Sequence, residues 1–162
     1  MSEFRPKFTN VANSQEAAEI INKPHDGTRD HVKLCKSLID VFTSDEVKHI
    51  FYDGEVNAMD VRTVHATIFV GEHVYRPGQF REIPAHVIQR ESGETHFYPD
   101  PFEIPMLLDR ILPMNIHSVD IKQWYKEFQE IHPFKDGNGR VGGVLLTAAW
   151  FNQTGEWIAP LQ

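Results

Sequence analysis

Residues 131–140 read Ile-His-Pro-Phe-Lys-Asp-Gly-Asn-Gly-Arg and lie between two stretches of helical periodicity. Upstream, Ser118 stands as an N-cap before Val119, Ile121, Trp124, Tyr125, Phe128 and Ile131, which share one helical face. Pro133 cannot continue that helix, and Gly137 and Gly139 mark the break. Downstream, Val141, Val144, Leu145, Ala148 and Phe151 recur at spacings near three and four, which predicts a final helix ending at Thr154 and Gly155.

The loop so placed has the chemistry of an anion site. Backbone N–H groups at the start of a helix lack intrahelical partners, the helix dipole favours negative charge there, and Gly137 and Gly139 let a phosphate approach the main chain. Arg140 adds a planar cation in the first turn, suited to phosphate oxygens. Asp136 offers Mg²⁺ a hard oxygen ligand on the same loop. His132 is the neighbouring side chain whose ordinary pKa lets it accept a proton near neutral pH. Taken singly, such residues are usually turn formers, caps or surface groups, so the chemical reading rests on their order.

Further out, Ile83, Val87 and Ile88 precede a polar turn over residues 90–94, after which Thr95, His96, Phe97 and Tyr98 resume a strand-like composition. The pattern predicts a β-hairpin over residues 81–97. Residues 104–112 read as a helix, and Asn57 with Asp60 reads as a capping box opening a helix that runs to Val70. Ser14 is expected to cap a short helix closed before Pro24, with a turn over residues 24–27. Residues 30–42 follow as a helix, and Thr43 and Ser44 cap another that Gly54 stops. There is no internal repeat or linker, so the chain is predicted to be mainly α, a helical bundle with one β-hairpin.

Composition narrows the function classes. The 162 residues suit a single core, and 41% hydrophobic with 24% charged residues is ordinary for a globular domain. A net charge of -7 argues against nucleic acid as the main partner, since phosphate-backbone binders present a basic face. The single Cys35 cannot form an intrachain disulfide, and beside Leu34, Leu38 and Ile39 it is expected to be a small buried hydrophobe. The sequence opens without an apolar leader and has no run near the roughly 20 apolar residues of a membrane span, so no membrane partner and a cytoplasmic location are expected.

From His132 to Arg140, a histidine, a phenylalanine two on, an acid four on, Gly-Asn-Gly and an arginine follow one another, and this resembles the signature of the Fic family. Val64 and His65, together with Val-Tyr-Arg-Pro-Gly-Gln-Phe-Arg at 74–81, are similar to the segment leading into that family's flap. The hairpin at 81–97 lies where the flap belongs. The resemblance covers about residues 61–151, so residues 1–60 are expected to form variable N-terminal helices packed on a core of 61–162, all in one compact domain. It implies a transferase that moves a phosphate-containing group, above all AMP or another nucleotidyl group, from ATP or another nucleotide to a hydroxyl of a target protein, with Mg²⁺. By the resemblance His132 is the general base, Asp136 the metal ligand, and Gly137, Asn138, Gly139 and Arg140 the phosphate site, with Phe134 a core anchor. Ile83, His86, Val87 and Ile88 of the flap are expected to dock the target by strand addition.

One position departs from the pattern. Nucleotide-adding members of the family usually carry a second arginine three residues after the first, on the same helix face, and here that residue is Gly143. A charged hydrogen bond to phosphate is worth roughly 1.5–3 kcal/mol, so its loss would weaken the hold on a triphosphate. Alternatives therefore stay open: a different donor, an inverted nucleotide as in family members that act as kinases, or a catalytically weak binding module. Gly142 and Gly143 cost a helix about 1 kcal/mol each relative to alanine, which points to close approach by a ligand or a neighbouring helix. An arginine restored at 143 is expected to occupy space meant for another donor rather than to tighten ATP. The family's self-inhibitory motif (Ser or Thr, three residues, then Glu followed by Gly or Asn) has no counterpart, so control is expected from a regulatory partner or from substrate supply. A histidine-based metal hydrolase is disfavoured, because the nine histidines show no His-Glu-x-x-His spacing.

Overall fold

A helix over residues 138–154 is covered on nearly every side, with Asn138, Arg140 and each residue from Val141 to Ala149 buried. Apolar side chains all round a helix place it at the centre of a bundle, and the other elements pack about it. The computed structural model describes residues 6–25, 31–45 and 54–161. In chain order the elements are β1 (Lys7–Val11), α1 (Ser14–Ile21), α2 (His31–Thr43), β2 (Glu55–Val56), α3 (Ala58–Ile68), β3 (His86–Ile88), β4 (Thr95–Phe97), α4 (Ile104–Asp109), β5 (Met114–Asn115), α5 (Ile121–Ile131), α6 (Asn138–Thr154) and β6 (Trp157–Leu161). Helices α1, α2, α3 and α5 all pack on α6.

Two of these contacts explain the glycine pair. A Cβ built on Gly142 would overlap the Gln129 amide and come within 3.1 Å of Phe128 on α5. A Cβ on Gly143 would lie 3.1 Å from both Cγ1 and Cγ2 of Ile21 on α1. The helix weakening by the two glycines is thus offset by close packing of two neighbouring helices. This corrects the expectation that Gly143 opens space for a donor, because the space beside it is filled by Ile21.

Helix α5 buries the expected face, Ile121, Trp124, Tyr125, Phe128 and Ile131, but it starts later than Ser118. Asp120 is its N-cap, with Oδ1 accepting from the Gln123 N–H at 3.2 Å. Ser118 and Val119 instead donate their N–H groups to the Asn115 carbonyl in the preceding turn. Likewise α1 is capped by Asn13, whose side chain accepts from the Glu16 N–H at 2.9 Å, and not by Ser14. The Asn57–Asp60 capping box is present in both directions, at 2.9 Å each. Helix α4 stops at Asp109, short of the expected 112, where the Arg110 and Ile111 N–H groups close tighter turns on the carbonyls of Leu107 and Leu108.

The hairpin forms as β3 and β4, antiparallel, with Val87 opposite His96. Two further antiparallel pairs add to the single hairpin expected: β1 with β6, and β2 with β5. In the first, Lys7 faces Leu161 and Val11 faces Trp157, which joins sequence-distant segments. Cys35 is half-buried rather than fully enclosed, and the side-chain amide of Asn22, the C-cap of α1, donates to its sulfur at 3.6 Å. The turn expected at 26–27 and most of the helix expected between 45 and 54 lie outside the described residues.

Candidate active site

His132 follows directly on α5 and caps it in the left-handed conformation, φ 52° and ψ 59°. That conformation is uncommon outside glycine and asparagine, and it turns the chain sharply out of the helix. Arg81 holds it there. Its Nε donates to the His132 carbonyl at 2.6 Å, and its own backbone N–H donates to the Pro133 carbonyl at 2.9 Å. Nη1 reaches the Ile83 carbonyl at 3.0 Å, while Nη2 reaches those of Pro99 at 2.5 Å and Ile131 at 3.4 Å. Since Ile83 precedes β3 and Pro99 follows β4, one buried guanidinium ties both feet of the hairpin to the end of α5.

The loop is braced from within. The Asn138 side chain accepts from the Phe134 N–H at 2.8 Å and donates to the Phe134 carbonyl at 2.9 Å. The Asn138 side chain is therefore tied to the loop backbone at both its oxygen and its nitrogen. Phe134 is fully buried, as expected of a core anchor, with its ring stacked on His65 at 4.0 Å. His65 accepts from the Gly78 N–H at Nδ1 (3.0 Å), so its proton sits on Nε2, which donates to the Asp136 carbonyl at 2.9 Å. Gly137 adopts φ +87°, and a side chain there would run into the Phe69 ring.

Asp136, Gly137, Gly139 and Arg140 come together around the start of α6. The N-cap of that helix is Gly137, which supplies no side-chain cap, so no cap side chain takes up the first-turn N–H groups. Arg140 is buried, with its guanidinium over the rings of Phe69 at 4.8 Å and Tyr75 at 5.5 Å. Its Nη2 lies 3.4 Å from Asp136 Oδ1. The Tyr75 hydroxyl is a hydrogen-bonding neighbour of the guanidinium, yet among the described residues Nε and Nη1 have no partner of their own. Leaving a buried charged donor unpaired costs on the order of 1–3 kcal/mol or more, and a phosphate seated there would satisfy it. The half-exposed Asp136 uses Oδ1 for the Gly137 N–H at 2.7 Å and for Arg140. Oδ2 remains open among the described residues, which suits an Mg²⁺ ion held by one carboxylate plus phosphate oxygens. Among the described residues no cluster of three or more His, Cys, Asp or Glu could hold a metal by itself.

Burial lowers the His132 pKa to about 4, helped by the Arg81 guanidinium and His96 and opposed by Asp136. Burial likewise takes His65 to about 4, where protonation would also set an N–H against the Gly78 N–H. Both rings are neutral in the folded protein at pH 7, whereas an unfolded histidine takes up a proton near pH 6.5. A depressed pKa contributes stability that is lost as pH falls from the unfolded value toward the folded one. The midpoint of thermal unfolding is therefore expected to drop between pH 7 and pH 5. A midpoint that stays flat across that range contradicts the burial of two neutral imidazoles.

Of the flap residues, His86, Val87 and Ile88 lie on β3 and are exposed, while Ile83 precedes the strand and is also exposed. Among the described residues β3 pairs with β4 alone, so each strand keeps one open edge. Among the described residues none of the four makes a side-chain hydrogen bond, ion pair or ring contact to the loop. The links between flap and loop are Arg81 and Tyr98, neither of which periodicity or spacing marks as special. His65 is a third supporting residue, and Val64-His65 and Arg81 stood out only through family resemblance.

Comparison with known proteins accords with this geometry. Residues 55–149 match the model of the Fic/DOC family. A probable protein adenylyltransferase of Aquifex aeolicus (strain VF5) is 39% identical over 56 residues, which cover 31% of this chain and 18% of that protein. Among solved structures, a Fic family protein from Desulfovibrio desulfuricans G20 superposes with a TM-score of 0.60 at 20% identity, over 86% of this chain and 43% of that one. A Fic domain containing signaling protein from Bacteroides thetaiotaomicron VPI-5482 gives 0.64 at 18% identity, over 86% and 56%. The chain thus spans less than two-thirds of each of these relatives, and no described helix is long and apolar enough to cross a membrane. With a mainly helical Fic fold and a family match over more than half its length, the chain belongs to the Fic/DOC family.

Proposed function

We propose that this protein transfers a nucleotidyl group, AMP from ATP in the first instance, to a hydroxyl side chain of a target protein. The observation that carries the reading is the buried Arg140, whose Nε and Nη1 lack hydrogen-bond partners, in the first turn of a helix with a glycine N-cap, within one loop of a neutral His132. In this reading His132 takes the hydroxyl proton as the target oxygen bonds to the α-phosphorus. The bond from that phosphorus to the bridging oxygen breaks, and pyrophosphate leaves with its charge met by Arg140 and the first-turn N–H groups. Mg²⁺ at Asp136 would offset phosphate charge. The target segment would add as a strand to an open edge of the flap. Because ATP and target hydroxyls meet inside the cell, the cytoplasm is the place of action in this reading.

Incubation with labelled ATP, other nucleoside triphosphates and a cell lysate, followed by mass analysis of the modified proteins, tests transfer and identifies the donor. Added mass of one nucleoside monophosphate on a hydroxyl supports the reading, and a single added phosphate would replace it with a kinase. A binding module without transfer is the second reading. It rests on the sequence alone, in which Gly143 stands where nucleotide-adding members of the family usually carry a second arginine. Nucleotide binding without any modified product would select it.

Asp136→Ala is expected to remove most activity together with its dependence on Mg²⁺, since the carboxylate is the proposed direct ligand. An unchanged Mg²⁺ titration of the residual activity would count against that role.

A further inference from the structure

A general base is commonly oriented by a hydrogen bond to its second ring nitrogen. His132 has none: among the described residues its hydrogen bonds are made by its backbone, through its N–H to Phe128 and its carbonyl to Arg81. Against the face of its imidazole lies Tyr98, whose ring stacks on it at 3.8 Å with 8° between the planes. We infer that Tyr98 is a positioning residue for the base, so that the segment carrying the flap also sets the plane of His132. The inference rests on the proposed role of His132 as base.

Tyr98 is itself well fixed. Its N–H donates to the Ala85 carbonyl at 3.0 Å, which extends the β3–β4 pairing by one step beyond the strands. The next residue, Pro99, gives its carbonyl to Arg81 at 2.5 Å, and the same guanidinium holds the His132 carbonyl. Tyr98 is further supported edge-on by His96 at 5.1 Å, and His96 Nε2 lies 3.4 Å from Glu130 Oε2. The base is thus fixed by its backbone through Arg81 and by its ring through Tyr98, and both belong to the feet of the flap. Stacking supplies shape and the exclusion of water rather than a proton, so a phenyl ring should serve as well as a phenol. The charged and titratable groups bearing on His132 are Arg81, Asp136 and His96, with Glu130 beyond Tyr98 and His96. Removal of the ring leaves all of them in place while admitting water to one face of the imidazole.

The test compares Tyr98→Phe, Tyr98→Leu and wild type in two measurements. In NMR, the His132 ring protons of wild type and Tyr98→Phe should show the upfield shift of a stacked ring. In Tyr98→Leu that shift should vanish, and the His132 titration should move upward from its depressed position. In transfer assays Tyr98→Leu should lower kcat about ten- to a hundredfold, as expected for a misplaced catalytic group, with the KM for nucleotide little changed. Tyr98→Phe should stay within about threefold of wild type, since it keeps the ring. Unmoved His132 signals in Tyr98→Leu, or loss of activity in Tyr98→Phe equal to that in Tyr98→Leu, would overturn the inference. Absence of transfer in wild type would count against the proposed function alone, and the NMR comparison would still decide whether Tyr98 holds the ring.

Discussion

Replacement of His132 by alanine is expected to lower transfer by about a hundred- to ten-thousand-fold, the usual contribution of a positioned general base. The expectation follows from a ring that burial keeps neutral and that stands one loop away from the open donors of Arg140. Alanine has to occupy the left-handed position, φ 52°, that histidine already holds, so the backbone cost changes little between the two. His132→Asn is the second variant, because asparagine tolerates that backbone conformation well but does not accept a proton as a base. Both variants should bind nucleotide as wild type does and should fail equally in transfer. Transfer at wild-type rate in His132→Asn would remove His132 from the mechanism.

The second large effect is expected at Gly143 and concerns stability before activity. The Cβ direction of residue 143 runs into Ile21 of α1, so an arginine there has to force the two helices apart or bury its charge between them. Overpacking costs about 1–3 kcal/mol and an unpaired buried charge several more. At about 2–4 °C per kcal/mol for a chain of this size, Gly143→Arg should lose on the order of 10 °C in Tm. Gly143→Ala is the control. Its Cβ meets Ile21 at 3.1 Å, a modest overlap that the roughly 1 kcal/mol gain in helix propensity offsets. Combining Gly143→Arg with Ile21→Ala should recover part of the loss. If Gly143→Arg melts with wild type and binds ATP tenfold more tightly in calorimetry, the position faces the nucleotide and the packing account fails.

Local signals in the sequence served well where the structure uses local interactions. The buried face of α5, the end of α6 at Gly155 and the Asn57–Asp60 box all depend on residues within one or two turns of each other. The misplaced caps have a common cause. Asn13 beside Ser14, and Ser118 near Asp120, are pairs of competent cap formers, and neighbouring turns decide between them. The β1–β6 pair was not legible, since neither strand carries a turn or an alternation that names a partner more than a hundred residues away. In the candidate site, the motif loop was legible as a unit, but the division of labour inside it was not. Asn138 has the composition of a phosphate ligand, yet its side chain closes a ring with the Phe134 backbone. The clasp by Arg81 was invisible for a different reason: its partners are carbonyl groups, and every residue has one.

That last point bears on how the protein can change under selection. A clasp made to carbonyls does not depend on which side chains stand at Ile83, Pro99, Ile131 or His132. The hairpin tip beyond it contributes Val87 and Ile88 to the surface and not to the core. Substitutions at the tip can therefore accumulate without loosening the loop that carries His132. In such an arrangement the exposed tip can vary from lineage to lineage while the loop beneath it is inherited unchanged.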